Sequence, residues 1–330
     1  MHSAAKRSRA CSASVAGGLL VAGLQLAGCT AGASSPTPVA GTPTPTGPHQ
    51  LSALPITRYQ PTAAQEALLT RAEAVLVHAC MKRSGFNYTL PTVTTAGAGD
   101  DPSGDLPDND PAFAAVHGYR DRSKAAAQVA HERQAKAAAS LNAQVATALV
   151  GTRAPGSATG HDAPAGGCMG QARRTIAGAA ATDPDAFFSN PQLVTDIRMN
   201  SYFKALSDGR VRNTFGVWST CMKAKGFDYA SPVAAVDDTR WNALRRPTAL
   251  EIRTATADVA CKYRHNVDGV FHAVQVAYEN TAIRGNLAAL EAIRTGLDNA
   301  LATAARINAE APKQPNRRAP GRPSVTPTRS

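Results

Sequence analysis

Aromatic residues are scarce: two Trp, seven Tyr and eight Phe amount to 5% of 330 residues, although hydrophobic residues reach 43%. Much of that apolar content is Ala, which lets helices approach closely but removes little surface from water per residue. Sequence marks of sheet structure are also missing, since no stretch alternates apolar and polar residues over a useful length. The chain contains no H-E-x-x-H, no G-x-S-x-G, no phosphate-binding loop and no dinucleotide fingerprint, so enzyme classes that depend on a compact local motif are not indicated. C-x-x-C is absent too, which argues against a thioredoxin-like redox pair.

Charge of one sign is short in the middle of the chain. The net charge is +11, but Lys6, Arg7 and Arg9 contribute three of those cations and the last 20 residues contribute five, with no acid in either segment. Residues 29–310 therefore carry only +3. A body so nearly balanced does not make the continuous basic face that nucleic-acid binding needs.

The N-terminus has a clear three-part order. A short basic stretch, His2 to Arg9, precedes the apolar run Val15 to Ala27, which ends in Leu26-Ala27-Gly28-Cys29. The run has the length of a signal-peptide h-region and falls short of the roughly 20 apolar residues that span a bilayer. Its end resembles the bacterial lipobox, in which small residues let a peptidase close around the backbone before a cysteine. The expectation is a signal peptide over 1–28, a diacylglyceryl group on Cys29 and anchorage to the outer face of the cytoplasmic membrane. Cys11 falls in the removed part.

Residues 29–58 read as a Pro/Thr-rich disordered tether, because such a composition cannot bury enough surface to offset the entropy of ordering. Residues 311–330 read as a basic disordered tail that could meet anionic wall polymer. Between them, 59–310 reads as a helical body. Thr62-Ala63-Ala64-Gln65 forms a capping box for a helix to about Ser84, with Gly85 at the C-terminal cap. Asp110-Pro111 opens a long helical stretch over 112–150, and further helices are expected at about 168–180, after Pro191 and at about 210–225. Thr248-Ala249-Leu250-Glu251 is a second capping box, for a helix to about Tyr263. The final helix is expected to run unbroken over 267–309. Its stripe Val276, Ile283, Leu290, Leu297 and Ala304 recurs every seven residues, with Leu287 and Leu301 between.

An internal echo organises the body. Cys80-Met-Lys-Arg-Ser-Gly-Phe-Asn-Tyr88 matches Cys221-Met-Lys-Ala-Lys-Gly-Phe-Asp-Tyr229 at six of nine positions, each copy lying at an expected helix end and each followed by a later cysteine. The fold expected is mainly α: an elongated helical bundle of two related disulfide-stapled halves, about 59–190 and 191–310, with a long C-terminal helix. The repeated CMxxxGFxY element, Trp218 before the second copy and the Ala257-Asp-Val-Ala-Cys261 element resemble a group of secreted actinobacterial lipoproteins. That resemblance implies export and lipidation, and it brings no catalytic residues.

Setting aside Cys11 and Cys29 leaves four cysteines. In an exported protein an even number points to disulfides, and of the three possible pairings the repeat favours Cys80–Cys168 and Cys221–Cys261. Other candidates carry less. His78 sits two residues before Cys80, off the same helix face. His265 and His272 are seven apart and could share a ligand. His117 and His131 lie in polar surroundings. Asp100, Asp101, Asp105, Asp108 and Asp110 lack the glycine and closing glutamate of a calcium loop. Trp218, Phe227, Tyr229 and Trp241 could cluster near the second disulfide. No cofactor is indicated. The functional expectation is a membrane-anchored, non-catalytic accessory protein that meets an envelope protein through its final helix. The rivals are a wall or extracellular enzyme whose residues converge only in space, and the solute-binding component of a transporter.

Overall fold

A computed structural model describes residues 41–90, 110–120, 140–151, 166–178, 191–243 and 246–311, with isolated positions between 129 and 136. The expected signal peptide, Cys29, residues 30–40, Asp100 to Asp108, His131 and the tail beyond Ala311 lie outside them. All regular structure among the described residues is helical: α1 (Ala63–Arg83), α2 (Pro111–His117), α3 (Ala143–Val150), α4 (Gly167–Ala177), α5 (Gln192–Ser207), α6 (Gly209–Ala224), α7 (Pro232–Val236), α8 (Ala249–His265), α9 (Val267–Gly285) and α10 (Leu287–Glu310), plus two 3-10 turns.

Helix ends follow local chemistry. Thr62 accepts from the Gln65 backbone N–H while the Gln65 side chain accepts from Thr62 N–H, a complete capping box. At α8 only half of the box forms. Thr248 Oγ1 caps Glu251 N at 3.0 Å, whereas the Glu251 side chain turns inward and its Oε1 lies 3.5 Å from Arg120 Nε.

The repeated element is a helix-ending device. In the first copy Gly85 N–H donates to Lys82 O and Phe86 N–H to Met81 O; in the second Gly226 donates to Lys223 O and Phe227 to Met222 O. Each is a Schellman motif. Gly85 and Gly226 sit at φ 86° and 87°, where any side chain is strained. The matched Met and Phe make the apolar contact that accompanies the motif, in two different core clusters. The echo extends to residues that differ in type. His78 Nδ1 lies 2.8 Å from Tyr88 O, and Ser219 Oγ donates to Tyr229 O at 2.6 Å. Both side chains lie two positions before the cysteine and pin the carbonyl eight positions after it.

The disulfides join Cys80 to Cys168 and Cys221 to Cys261, the pairings the repeat implied. In the loop-entropy picture, separations of 88 and 40 residues correspond to about 5 and 4 kcal/mol of stabilisation. The likeness of the halves stops there, because Cys168 is the second residue of α4 whereas Cys261 is near the end of α8.

Nor do the halves stand apart. Leu297, Ala300 and Ala304 of α10 pack against Leu69 and Ala72 of α1 and Ile176 of α4, so the last helix of the second half builds the core of the first. In return, Ala114 of α2 packs on Ala255 and Val259 of α8.

Three expectations need correction. The helix expected over 112–150 is interrupted: α2 ends at His117, and α3 starts afresh with Asn142 Oδ1 capping Val145 N. The final helix breaks at Gly285–Asn286 into α9 and α10. The heptad stripe nonetheless passes through the break, with Ile283, Leu290, Leu297 and Ala304 all buried, while Leu287 points outward at 50% exposure. The tether does not last to residue 58. Leu54, Ile56 and Tyr59 are buried against Val194, Ile197, Ile283 and Leu290, so residues 41–59 form a strap laid over α5, α9 and α10.

Candidate functional site

Two groups of buried polar residues stand out from the apolar packing. The first lies beside the second disulfide. Trp218 and Cys221 on α6 meet Asp258 and Cys261 on α8, the same three-residue step on each, so the two helices run parallel here. Trp218 Nε1 donates to Asp258 Oδ1 at 3.0 Å, and Lys262 Nζ lies 3.0 Å from Asp258 Oδ2. Both members of the ion pair are wholly enclosed, with 0% side-chain exposure.

Burial pushes the Asp258 carboxyl above its ordinary range, with Lys262 and the hydrogen bond from Trp218 opposing it. Burial likewise raises the Tyr119 phenol, and the nearby Asp258 charge adds to that. Arg120, next in sequence, donates from Nη2 to the carbonyls of Trp241 and Arg246 at 2.9 and 3.2 Å, tying the end of α2 to the loop before α8. With no exposed face, the Asp258–Lys262 pair meets only its own chain: it lies within α8, and the Trp218 indole on Asp258 ties α8 to α6.

The second group is a polar row on α9. Asp268, His272, Gln275 and Glu279 follow at steps of four, three and four, all buried and on one helix face. The strap meets two of them, His272 and Glu279. An irregular segment can be buried only where something replaces the hydrogen-bond ladder it lacks. Here Asn266 Nδ2 donates to Pro43 O at 2.9 Å, and Ile56 N–H donates to Glu279 Oε2 at 3.1 Å. Farther along, Tyr59 Oη donates to Glu291 Oε1 at 3.3 Å, and Arg294 donates to the Arg58 carbonyl at 3.1 Å. A Cβ on Gly269 would run into the Pro43 carbonyl and the Asn266 side chain, so the strap's entry depends on that glycine.

Between these anchors Ser52 Oγ lies 3.3 Å from His272 Nε2, on the wall of an open cavity of about 370 Å³ that Gly41, Pro43, Val276 and Asn280 also line. A hydroxyl held by an imidazole at the edge of a cleft is the arrangement a serine nucleophile uses.

The other sequence candidates fall elsewhere. His265 and His272 are on different helices, because Asn266 takes a left-handed conformation at φ 49°, ψ 41° and ends α8. Asp110 caps α2, accepting from Ala112 and Phe113 N–H, and the His117 ring lies 4.5 Å from that of Phe113. Trp218, Phe227 and Tyr229 share one core cluster. Trp241 stands apart against Tyr119, with ring centroids 6.0 Å apart, and donates to the Ala235 carbonyl. Among the described residues no His, Cys, Asp or Glu triplet is placed to hold a metal ion, and no helix is long and apolar enough to cross a membrane. Sequence reading missed the ion pair and the strap. The first had a signal, Asp and Lys one turn apart amid the apolar residues of α8; the second had one in Leu51, Leu54, Ile56 and Tyr59, apolar residues at the end of the Pro/Thr-rich run.

The two disulfides mark the folded body as one of an oxidising, extracytoplasmic compartment. Comparison with protein-family models, curated proteins and solved structures finds no match.

Proposed function

We propose that this chain is a lipoprotein anchored through Cys29 to the outer face of the cytoplasmic membrane, with a helical body that serves there as a non-catalytic accessory or interaction module. The observation that carries the reading is a coincidence of two independent features. A basic and apolar leader ending in Leu26-Ala27-Gly28-Cys29 precedes a body closed by two disulfides. Export explains both. The non-catalytic part draws support from the buried polar groups, since Asp258, Lys262 and Glu279 bind other parts of the same chain. The stripe of the final helix is turned inward, so a partner would meet its polar outer face; the basic tail is a further candidate contact, for anionic wall polymer.

Cys29→Ala is expected to abolish the diacylglyceryl mass and to move the protein out of the membrane fraction or leave its signal peptide attached. Intact-mass measurement of fractionated cells reads both. An unchanged mass and unchanged membrane association would sink the anchor.

An extracellular enzyme is the second reading, favoured by the Ser52–His272 contact. It expects a fluorophosphonate to label Ser52 covalently and His272→Gln to lose the label. The first reading expects no label on either protein.

A further inference from the structure

The place where the strap enters the body indicates which end of the body faces the lipid. Pro43 is bound at the turn between α8 and α9, by Asn266 and against Gly269. From Cys29 to Pro43 the chain has 14 residue steps, which reach at most about 50 Å fully extended. The α8–α9 turn therefore stays within that distance of the anchoring lipid, far less than a free tether to residue 58 would allow.

The C-terminal ends of α6 and α8 lie at this same end, because the two helices run parallel through the Trp218–Asp258 and Cys221–Cys261 contacts. The last residues of α8 bring exposed Arg264, and the end of α6 brings exposed Lys223 and Lys225. Among the described residues, exposed Asp228 stands beside them, its Oδ1 3.3 Å from Lys223 Nζ. Asp268, at the start of α9, is buried. Half-buried Phe227 and Tyr263 complete the end. Cations with aromatic neighbours are the side chains that settle at a lipid headgroup layer.

We infer that the end of the body formed by the C-termini of α6 and α8 is a membrane-facing surface that takes anionic phospholipid headgroups through Lys223, Lys225 and Arg264. The orientation rests on the proposed anchor at Cys29; the headgroup affinity belongs to the body and is tested without the lipid. The experiment uses the full mature chain with Cys29→Ser, and vesicles of phosphatidylcholine with or without 30 mol% phosphatidylglycerol, in a co-sedimentation assay at low and high salt. Binding is expected only to the anionic vesicles and is expected to weaken with salt. Lys223→Gln, Lys225→Gln and Arg264→Gln together are expected to lower the partition coefficient by about 100-fold, roughly fivefold for each cation. A second variant, with the five tail cations changed to Gln, separates the contribution of residues 311–330. If the triple variant binds as the parent does and only the tail variant loses binding, the surface is wrong. Absence of parent binding to anionic vesicles also overturns it. Failure of the anchor itself would instead appear as an unlipidated Cys29 in the mass of the membrane fraction, a separate result.

Discussion

Lys262→Met is expected to destabilise the protein by about 3–5 kcal/mol, because it leaves the Asp258 carboxylate buried with no counter-charge. The methionine fills the space well, so lost packing is a minor part of the effect. What remains on Asp258 is the indole N–H of Trp218, too little to offset the desolvation of a full charge.

The pH dependence of the deficit distinguishes this cause from any other. Burial already holds the Asp258 carboxyl above its ordinary range even with Lys262 beside it, and removing Lys262 raises it further. A carboxyl whose folded pKa is raised costs stability at pH values above that pKa and ceases to do so once protonated. The difference between Lys262→Met and the parent should therefore narrow as the pH is lowered from 8 to 5. Adding Asp258→Asn removes the charge but keeps an acceptor for Trp218, so the double variant should recover most of the loss. Urea unfolding of the four proteins of this cycle, with unchanged m values, gives the coupling directly. Single variants within 1 kcal/mol of the parent, or a deficit independent of pH, would show that the pair carries no such coupling.

Features of the fold written in local chemistry were legible in the sequence. Thr62 and Gln65 announce a helix start because the box is complete within four residues. CMxxxGFxY announces a helix end because the glycine conformation, the two carbonyl partners and the Met–Phe contact all lie within six residues. The heptad stripe was equally plain, since periodicity is a property of one segment. It hid the break at Gly285–Asn286, because Ile283 and Leu290 keep their seven-residue step across it. The disulfides followed from the repeat, although the helices they join are not arranged alike.

What was not legible depends on residues far apart. The ion pair had a local form, but nothing in α8 alone says that Trp218 and Tyr119 close over it. The strap shows this most sharply. Its Thr, Pro and Gly content reads as tether because composition measures only what a segment can bury by itself. The surface that orders it is supplied from far along the chain, by the polar row on α9 and the apolar faces of α5 and α10. The same row accounts for four polar side chains on a buried face, which reading α9 alone would count as errors in its amphipathic pattern.

If the strap is part of the fold, the folded body begins well before Thr62, and Ile56→Ala should destabilise it by about 2–5 kcal/mol, with Leu54→Ala in the same range. Both side chains are fully enclosed, at 0% and 1% exposure. Each lies beside Val194, Ile197, Ile283 and Leu290, residues fixed on three helices that cannot collapse freely into the space. Removing residues 41–59 altogether should do more than either substitution. It uncovers that apolar groove and leaves Glu279 without the Ile56 N–H, and the summed loss approaches the whole stability of an ordinary domain, about 5–15 kcal/mol. Ala53→Ser supplies the control, since Ala53 is exposed next to Leu54 and should change stability by no more than about 0.5 kcal/mol. A tether predicts the opposite pattern: Ile56→Ala and Leu54→Ala as silent as Ala53→Ser, and a chain starting at Gln60 that unfolds at the parent's urea midpoint. Amide exchange gives the same distinction at one bond. The Ile56 N–H, held by Glu279, should exchange at a rate close to those of the neighbouring α9 amides, and Glu279→Gln should speed it while leaving exchange in α1 unchanged.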